Sequence, residues 1–132
     1  MSLRICSHIF LSVAPVCARQ QQLQYGAGRK EEISISCRVE SYPEPTSFKW
    51  AFNRSSQVVD IAQNSHSRDG WTSTLSYLPQ TELDFGSLLC WAQNDVGSMK
   101  VPCVIQVVPA GKRIIVVNRM NECYYIYVWI LL

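Results

Sequence analysis

Six cysteines spread along the chain are the feature that most limits how it can fold. They are Cys6, Cys17, Cys37, Cys90, Cys103 and Cys123. No two of them form the closely spaced C-x-x-C pair that structural zinc sites usually use. Widely spaced cysteines in a chain of 132 residues instead predict long-range disulfides, which form in oxidising compartments. Their number leaves many pairings open, so the pairing has to be inferred from the strands that carry them.

Between residues 31 and 108 the sequence consists of short runs typical of β-strands, separated by turn residues. In the first run Ile33, Ile35, Cys37 and Val39 share one parity and polar residues take the other, which indicates a half-buried strand. A turn is expected at 67–70. The predicted strands are 31–41, 47–52, 57–61, 71–78, 86–94 and 98–108. Because no helical period lies between them, the pattern favours a β-sandwich or barrel.

Cys37, Trp50 and Cys90 lie on three of these strands, at the alternating positions whose side chains are expected to point into the core. A disulfide between two facing sheets with a tryptophan packed on it is typical of an immunoglobulin-like domain. We therefore predict an all-β fold, an immunoglobulin-like two-sheet Greek-key sandwich of the C2/I type. The alternative is that the three residues are unrelated and belong to a different β-sandwich. Leu88 stands where immunoglobulin domains commonly carry a tyrosine, so packing and a turn at Asp84 are expected to hold this corner.

A second bridge is expected between Cys17 and Cys103. Cys17 precedes the first predicted strand and Cys103 lies in the last one. In an immunoglobulin topology the first and last strands can run side by side, so the two residues can be joined. The four cysteines inside the predicted domain then pair completely, as Cys37–Cys90 and Cys17–Cys103. The alternative is that Cys17 and Cys103 are unrelated thiols.

Five stretches of the chain resemble a known family: APVC at 14–17, FKWAFN at 48–53, TELDFGSLLCW at 81–91, PCV at 102–104 and VPAG at 108–111. They are similar to an internal immunoglobulin domain of the Sidestep family, neuronal cell-surface receptors of arthropods. The resemblance implies a parent membrane receptor of several immunoglobulin domains, which takes part in axon guidance by binding Beaten path-type immunoglobulin proteins. This sequence shows one such domain and no membrane-spanning run, so that function is expected of the parent.

The two flanks, 1–12 and 112–132, depart from the family and are expected to lie outside a domain at 13–111. Residues 9–13 can be encoded by a pyrimidine tract ending in AG, and Gly111-Lys112-Arg113 by a sequence containing GTAAGA. These are the acceptor and donor signals of introns, so we interpret both flanks as translated intron. The alternatives are a weak signal peptide at the N-terminus and a truncated membrane anchor at the C-terminus.

The composition argues against several functional classes. A net charge of +2 and a pI of about 8.2 do not favour a nucleic-acid partner, which usually binds a strongly basic face. The two histidines are His8 and His66, and His66 lies in a turn-rich stretch where a solvated side chain is expected. Neither a Gly-rich phosphate loop nor a paired set of carboxylates is recognisable. We therefore expect no enzymatic activity, no cofactor and no metal.

The remaining candidate residues concern recognition. Asn53 begins an N-x-S sequence in a turn expected to face solvent, which predicts glycosylation in a secreted chain. The candidate protein-contact face consists of Trp91, Leu89, Lys49 and Ala51, which have the outward parity of two neighbouring strands; alternatively, a loop caps the tryptophan. The predicted function is recognition or adhesion, with an extracellular protein as partner, at the extracellular face of the plasma membrane or in secreted form. The alternatives are a structural spacer domain and a secreted single-domain protein.

Overall fold

The computed structural model describes residues 12–54, 57–119 and 122–129. Its strands are β1 (Val13–Cys17), β2 (Gln24–Ala27), β3 (Ile33–Tyr42), β4 (Ser47–Arg54), β5 (Gln57–Asp60), β6 (His66–Asp69), β7 (Thr72–Tyr77), β8 (Gly86–Gln93), β9 (Cys103–Pro109), β10 (Lys112–Arg119) and β11 (Glu122–Trp129). Single-turn 3-10 helices lie at Gln63–Ser65 and Glu82–Asp84. The described residues contain no helix long and apolar enough to cross a membrane.

Nine of these strands form two sheets that face each other. The order in one sheet is β1-β3-β7-β6 and in the other β2-β9-β8-β4-β5. Neighbouring strands are antiparallel except β2 and β9, which run parallel. The N-terminal segment thus contributes β1 to one sheet and β2 to the other. The all-β, two-sheet sandwich predicted from the sequence is confirmed.

Alternating burial along the strands builds the core between the sheets. In β3, Ile35, Cys37 and Val39 are at most 1% exposed, whereas Ser36 and Arg38 between them face solvent. The same period of two residues recurs in β8, and in β4 and β9 with Ala51 and Val108 as buried exceptions. The largest fully buried side chains are Trp50, Ile35, Leu75, Leu88, Ile105, Val39 and Val107. These side chains come from five strands, β3 and β7 of one sheet and β4, β8 and β9 of the other, so the core requires both sheets.

Three local expectations were wrong. The stretch expected as a turn at 67–70 overlaps β6, which pairs with β7 along His66–Asp69. This is an edge strand held by backbone pairing, so it shows no apolar alternation. The last strand of the sandwich, β9, begins at Cys103 rather than at residue 98, and Val101, inside the predicted strand, is 74% exposed. The N-terminal strands β1 and β2 were not predicted as strands; both are short and lie at sheet edges.

The described part of the C-terminal flank forms a sheet of its own. Strands β10 and β11 pair only with each other among the described strands, in a two-stranded antiparallel sheet. The expectation that 112–132 does not belong to the sandwich stays a prediction. Residues 1–11, with Cys6 and His8, lie outside the described residues, as does Ser55 of the N-x-S sequence.

Candidate protein-contact face

The frame that positions the candidate face is a pair of adjacent disulfides. The structure joins Cys37 to Cys90, with 6.6 Å between their Cα atoms, and Cys17 to Cys103, with 5.4 Å. Cys90 and Cys103 are direct partners in the β8–β9 register, so the two bridges lie side by side. Each bridge links one sheet to the other. Together they fix β8 and β9 relative to β1 and β3.

The Gln21 side chain binds the backbone of β3 just beyond the end of β1. Its Nε2 donates to the carbonyl of Arg38 at 2.9 Å, and its Oε1 accepts from the N–H of Arg38 at 2.9 Å. The amide therefore satisfies the two backbone groups of Arg38, as a neighbouring strand would. Nε2 also lies 3.1 Å from the sulfur of Cys17. The Gln21 side chain thus contacts both the backbone of β3 and the Cys17–Cys103 disulfide, which we call the outer bridge. The Cys37–Cys90 disulfide is the inner bridge.

Trp50 lies against the inner disulfide, as a packed tryptophan is expected to. It is the cross-strand partner of Cys90, is fully buried, and donates its indole N–H to the hydroxyl of Ser73 at 2.9 Å. The His66 ring lies 6.4 Å from the Trp50 ring, centre to centre. Burial lowers the pKa of His66, and its Nε2 has no hydrogen-bond partner among the described residues. His66 is therefore half-buried against the core and not a solvated turn residue.

The corner before β8 is held in the way the sequence predicted, with one addition. Leu88 is fully buried, and the Asp84 carboxylate accepts hydrogen bonds from the N–H groups of Gln80 and Thr81 at 2.9 and 3.0 Å. The Asp84 carboxylate also pairs with Arg54 at 3.1 Å. Sequence reasoning missed Tyr77, whose hydroxyl donates to the Asp84 carbonyl at 2.6 Å. It supplies the hydrogen bond for which a tyrosine at position 88 would be expected.

These contacts shift the two pKa values in opposite directions. The N–H of Gln80 is the main cause that lowers the pKa of Asp84; the hydrogen bonds from Thr81 and the Arg54 charge act in the same direction, against desolvation. Burial, and after it the Asp84 charge, raises the pKa of Tyr77 to about 12, while the Arg54 charge acts against this rise. The carboxylate and the neutral phenol are therefore the stable forms at neutral pH.

The outer face of the five-stranded sheet carries three of the four predicted contact residues at its surface. Lys49 and Trp91 are direct cross-strand partners, and the Lys49 ammonium lies 5.6 Å from the centre of the Trp91 ring. The same ammonium lies 3.6 Å from a carboxylate oxygen of Asp60. Lys49 is exposed, whereas Trp91 and Leu89 are half-buried. The cation holds the indole in place and leaves part of the ring open to a partner.

Ala51 is a correction to the predicted face. Its side chain has the outward parity, but it is 0% exposed. Its cross-strand partners are Leu89 on β8 and Asp60 on β5. A single methyl group cannot project beyond two larger neighbours, so a partner contacts those neighbours and not Ala51. Parity determines the face to which a side chain points, but not how far it reaches.

Val104 belongs to the face although the sequence analysis did not name it. It is the cross-strand partner of Leu89 and is 43% exposed. The alternation of β9 contains the signal, because Val104 has the parity opposite to Cys103 and Ile105. Beside Trp91 lies a cavity of about 240 Å³, lined by Ser47, Lys49, Trp91, Ala92, Gln93 and Ser98. We call Lys49, Leu89, Trp91 and Val104, with this cavity, the contact face.

Asn53 lies on the same sheet, near the other end of β4. It is exposed and is the cross-strand partner of Ser87 on β8 and of Val58 on β5. Since Ser87 and Trp91 lie four positions apart on β8, a glycan at Asn53 would be about 13 Å from Trp91 along the strand. Glycosylation of Asn53 stays a prediction.

Comparison with known proteins shows the fold. No protein-family model and no curated protein sequence matches the chain. Among solved structures, the chain is similar to the titin Ig tandem domains A164-A165, with 25% identity, 80% of this chain and 52% of that chain covered, and a TM-score of 0.58. It is also similar to a chain in the complex of Dpr2 Ig1-Ig2 with DIP-Theta Ig1-Ig3, with 20% identity, 74% and 33% covered, and a TM-score of 0.54. A third similar structure is titin M4, with 18% identity, 76% and 100% covered, and a TM-score of 0.54.

The chain spans about half the length of the titin tandem and a third of the matched chain of the Dpr2 complex. At sequence identities of 18–25%, these similarities are evidence for a shared fold. The sheet order, the buried tryptophan beside an inter-sheet disulfide and the similar solved structures lead to the same conclusion. The chain has an immunoglobulin-like sandwich fold.

Proposed function

We propose that this chain is a non-catalytic recognition domain that binds an extracellular protein through the contact face. The observation that carries the proposal is the outward side of the five-stranded sheet, where Trp91 lies beside Leu89 and Val104 with Lys49 and Asp60 at the margin. An apolar centre with a polar rim is the usual anatomy of a protein interface. Tryptophan is also enriched among residues whose removal costs most binding energy.

The disulfides support an extracellular location. The structure contains two bridges that each span the sandwich, and such bridges persist in oxidising compartments such as the cell exterior. The extracellular face of the plasma membrane and a secreted form are both compatible with this. We propose the former, with the membrane segment in the rest of a parent receptor.

The finer proposal is that the parent is a Sidestep-like receptor and that its partner is a Beaten path-type immunoglobulin protein. It is supported by the sequence motifs at 14–17, 48–53, 81–91, 102–104 and 108–111. One of the similar solved structures is a complex between immunoglobulin domains of two proteins, Dpr2 and DIP-Theta. A role in axon guidance or cell–cell recognition follows from this parent.

Binding between the full chain and a panel of Beaten path-type extracellular regions tests the proposal. The chain is immobilised at high density and the partners are presented as dimers, because two-point attachment makes weak binding measurable. Replacing Trp91 with alanine is expected to weaken binding by about tenfold or more. Leu83→Ala is the matched control, since Leu83 is 68% exposed but lies at the corner before β8.

Binding that is unchanged by Trp91→Ala would remove the contact face from the proposal. Absence of binding to the whole panel would remove the named partner class. The second candidate is a spacer domain, and the position of Asn53 on the same side of the same sheet as Trp91 favours it. A glycan there that blocks partner binding, with binding restored in Asn53→Gln, would favour the spacer role for the glycosylated protein.

A further inference from the structure

The other sheet carries an exposed tryptophan that the core does not use. Trp71 lies in the turn between β6 and β7 and is 42% exposed. Its indole N–H donates to the carbonyl of Ser41 at 3.0 Å, and its own carbonyl accepts from the N–H of Val39 at 3.0 Å. The indole is therefore fixed through its N–H and the backbone through its carbonyl, while much of the side chain stays exposed. A rigid aromatic surface loses little conformational entropy when it binds a ligand.

Next to this ring, three polar side chains form a row across three strands. Arg38 on β3 is the partner of Thr72 on β7, which in turn is the partner of Asp69 on β6. Two strand spacings give this row a width of about 10 Å. Glu40 lies two residues beyond Arg38 on the same side of β3. The row thus presents a guanidinium donor, a hydroxyl and two carboxylate acceptors.

The charged groups of this row are not engaged elsewhere in the described part of the chain. None of the ion pairs or side-chain hydrogen bonds found there uses the guanidinium of Arg38 or the carboxylates of Glu40 and Asp69. A shallow depression of about 640 Å³ lies over the row, and Trp71 is part of its lining. That volume is in the range of small-molecule sites, about 300–1,000 Å³.

We propose that this depression binds a neutral saccharide. The apolar C–H face of a pyranose ring can stack on the Trp71 indole. The hydroxyl groups of the sugar both donate and accept hydrogen bonds, so they match the donor and acceptor side chains of the row. Asp69 and Glu40 accept from hydroxyls, Arg38 donates to ring or hydroxyl oxygens, and Thr72 does either. Two carboxylates against one guanidinium give the site a net negative charge, which disfavours sulfated or sialylated sugars. The site lies on the opposite sheet from the contact face, so it is independent of the proposed protein partner.

Titration of the isotope-labelled full chain, followed by NMR, tests the proposal. The protein is made in an oxidising bacterial compartment, so that disulfides form and no glycan is added. The probes are chitobiose, mannobiose and maltose, with sialyllactose as the anionic comparison, each up to about 20 mM, since weak single-site binding is expected. Shifts are expected for the Trp71 indole N–H and for the amides of 38–41 and 69–72 with at least one neutral probe, and smaller ones with sialyllactose.

Variants separate stacking from hydrogen bonding. Trp71→Ala is expected to weaken binding at least about fivefold, and Trp71→Phe less, because the phenyl ring still stacks. Asp69→Asn is expected to weaken it about tenfold through the lost charged acceptor. Leu83→Ala, at an exposed position of the corner before β8, is the control and is expected to bind normally. If Trp71→Ala does not fold, Asp69→Asn and Arg38→Ala decide, because both side chains are exposed.

A glycoprotein with one neutral N-linked glycan, before and after enzymatic removal of that glycan, distinguishes a free sugar from a glycan on a protein partner. Binding of the glycosylated form alone supports the proposal and identifies the source as a glycoprotein. Equal binding of both forms would mean that the site recognises polypeptide and would overturn it. Absence of shifts with every neutral probe, or shifts that persist in Asp69→Asn and Arg38→Ala, would also overturn it.

Discussion

The hydroxyl of Tyr77 donates a 2.6 Å hydrogen bond to the backbone carbonyl of Asp84 and joins the end of β7 to the corner before β8. The two residues belong to the same short segment between two sheets, so this bond fixes the angle at which the chain crosses from one sheet to the other. The Asp84 carboxylate, on the other side of the corner, binds Gln80, Thr81 and Arg54. Asp84 thus stabilises the corner twice, through its backbone carbonyl and through its side-chain carboxylate.

Replacing Tyr77 with phenylalanine should destabilise the domain by about 1–2 kcal/mol. The ring stays in place, but the half-buried Asp84 carbonyl loses its donor. Urea unfolding of the oxidised protein measures the change. Tyr42→Phe is the matched control, because Tyr42 is 50% exposed and should change stability little. Equal stability of wild type and Tyr77→Phe would mean that the bond contributes nothing to the corner.

Asp84 should make stability depend on pH in the acidic range. Its folded-state pKa is lowered, chiefly by the Gln80 N–H, so the unfolded chain binds a proton more readily than the folded one. The stabilisation is therefore complete above about pH 4 and is lost as the pH falls through the folded-state pKa. Asp84→Asn should be less stable than wild type at neutral pH, and the gap should close in acid. A gap that stays constant between about pH 7 and pH 3 would contradict this. Asp95→Asn, at an exposed turn, is the control.

Removal of the outer bridge by a double change, Cys17→Ser with Cys103→Ser, should cost about 2–4 kcal/mol. The two residues are 86 positions apart, so the bridge restricts a long stretch of the unfolded chain. Denaturant unfolding without reductant measures the cost, and non-reducing peptide mapping of the full chain should recover the Cys17–Cys103 and Cys37–Cys90 linkages. Recovery of Cys17 linked to Cys6, or of Cys103 linked to Cys123, would contradict the pairing.

Trp50→Ala should cost about 3–5 kcal/mol, as other large truncations in a core do. The change leaves a cavity beside the inner disulfide and leaves the Ser73 hydroxyl without its indole partner. Trp50→Phe should lose less, because much of the volume remains. An unfolding midpoint that barely moves in Trp50→Ala would be incompatible with the packing of β4 against β3 and β8.

A shortened chain of residues 13–111 should keep nearly the full stability and gain solubility. Strands β10 and β11 add no strand to either sheet of the sandwich, and residues 124–132 are apolar, uncharged and without proline, the composition of an aggregating segment. Thermal unfolding and light scattering of the two chains, secreted from the same host, test this. If the shortened chain fails to fold while the full chain is a stable monomer, the flanks have a structural role.

The sequence was sufficient for features that depend on alternation. Cys37, Trp50 and Cys90 lie on strands whose apolar residues recur every second position, and that period is visible without a structure. The sandwich and its buried tryptophan could be predicted for this reason. Strand β6 could not, because an edge strand is held by backbone hydrogen bonds that any side chain permits.

The site was predictable only in part for a related reason. Parity placed Trp91, Leu89 and Lys49 on the outer side of the sheet, but the exposure of Ala51 depends on the size of its cross-strand neighbours. The partnership of Tyr77 with Asp84 depends on how a corner folds back on a strand, and the open ring of Trp71 depends on the Ser41 carbonyl. Such contacts depend on the tertiary structure, and no periodic pattern in the sequence indicates them.

The outer bridge also determines how the domain responds to mechanical tension between its two ends. A pull applied at Val13 and Pro109 reaches Cys17 and Cys103 after a few residues, and the covalent bond between them then bears the load directly. Residues 13–16 and 104–109 can be peeled from their sheets, but the chain between the two cysteines cannot lengthen. Each peeled residue adds at most about 3.6 Å, so the segments outside the bridge can add only about a tenth of the length that complete unfolding of residues 13–109 would release. Under tension, such a domain would transmit force between its two ends without unfolding between Cys17 and Cys103.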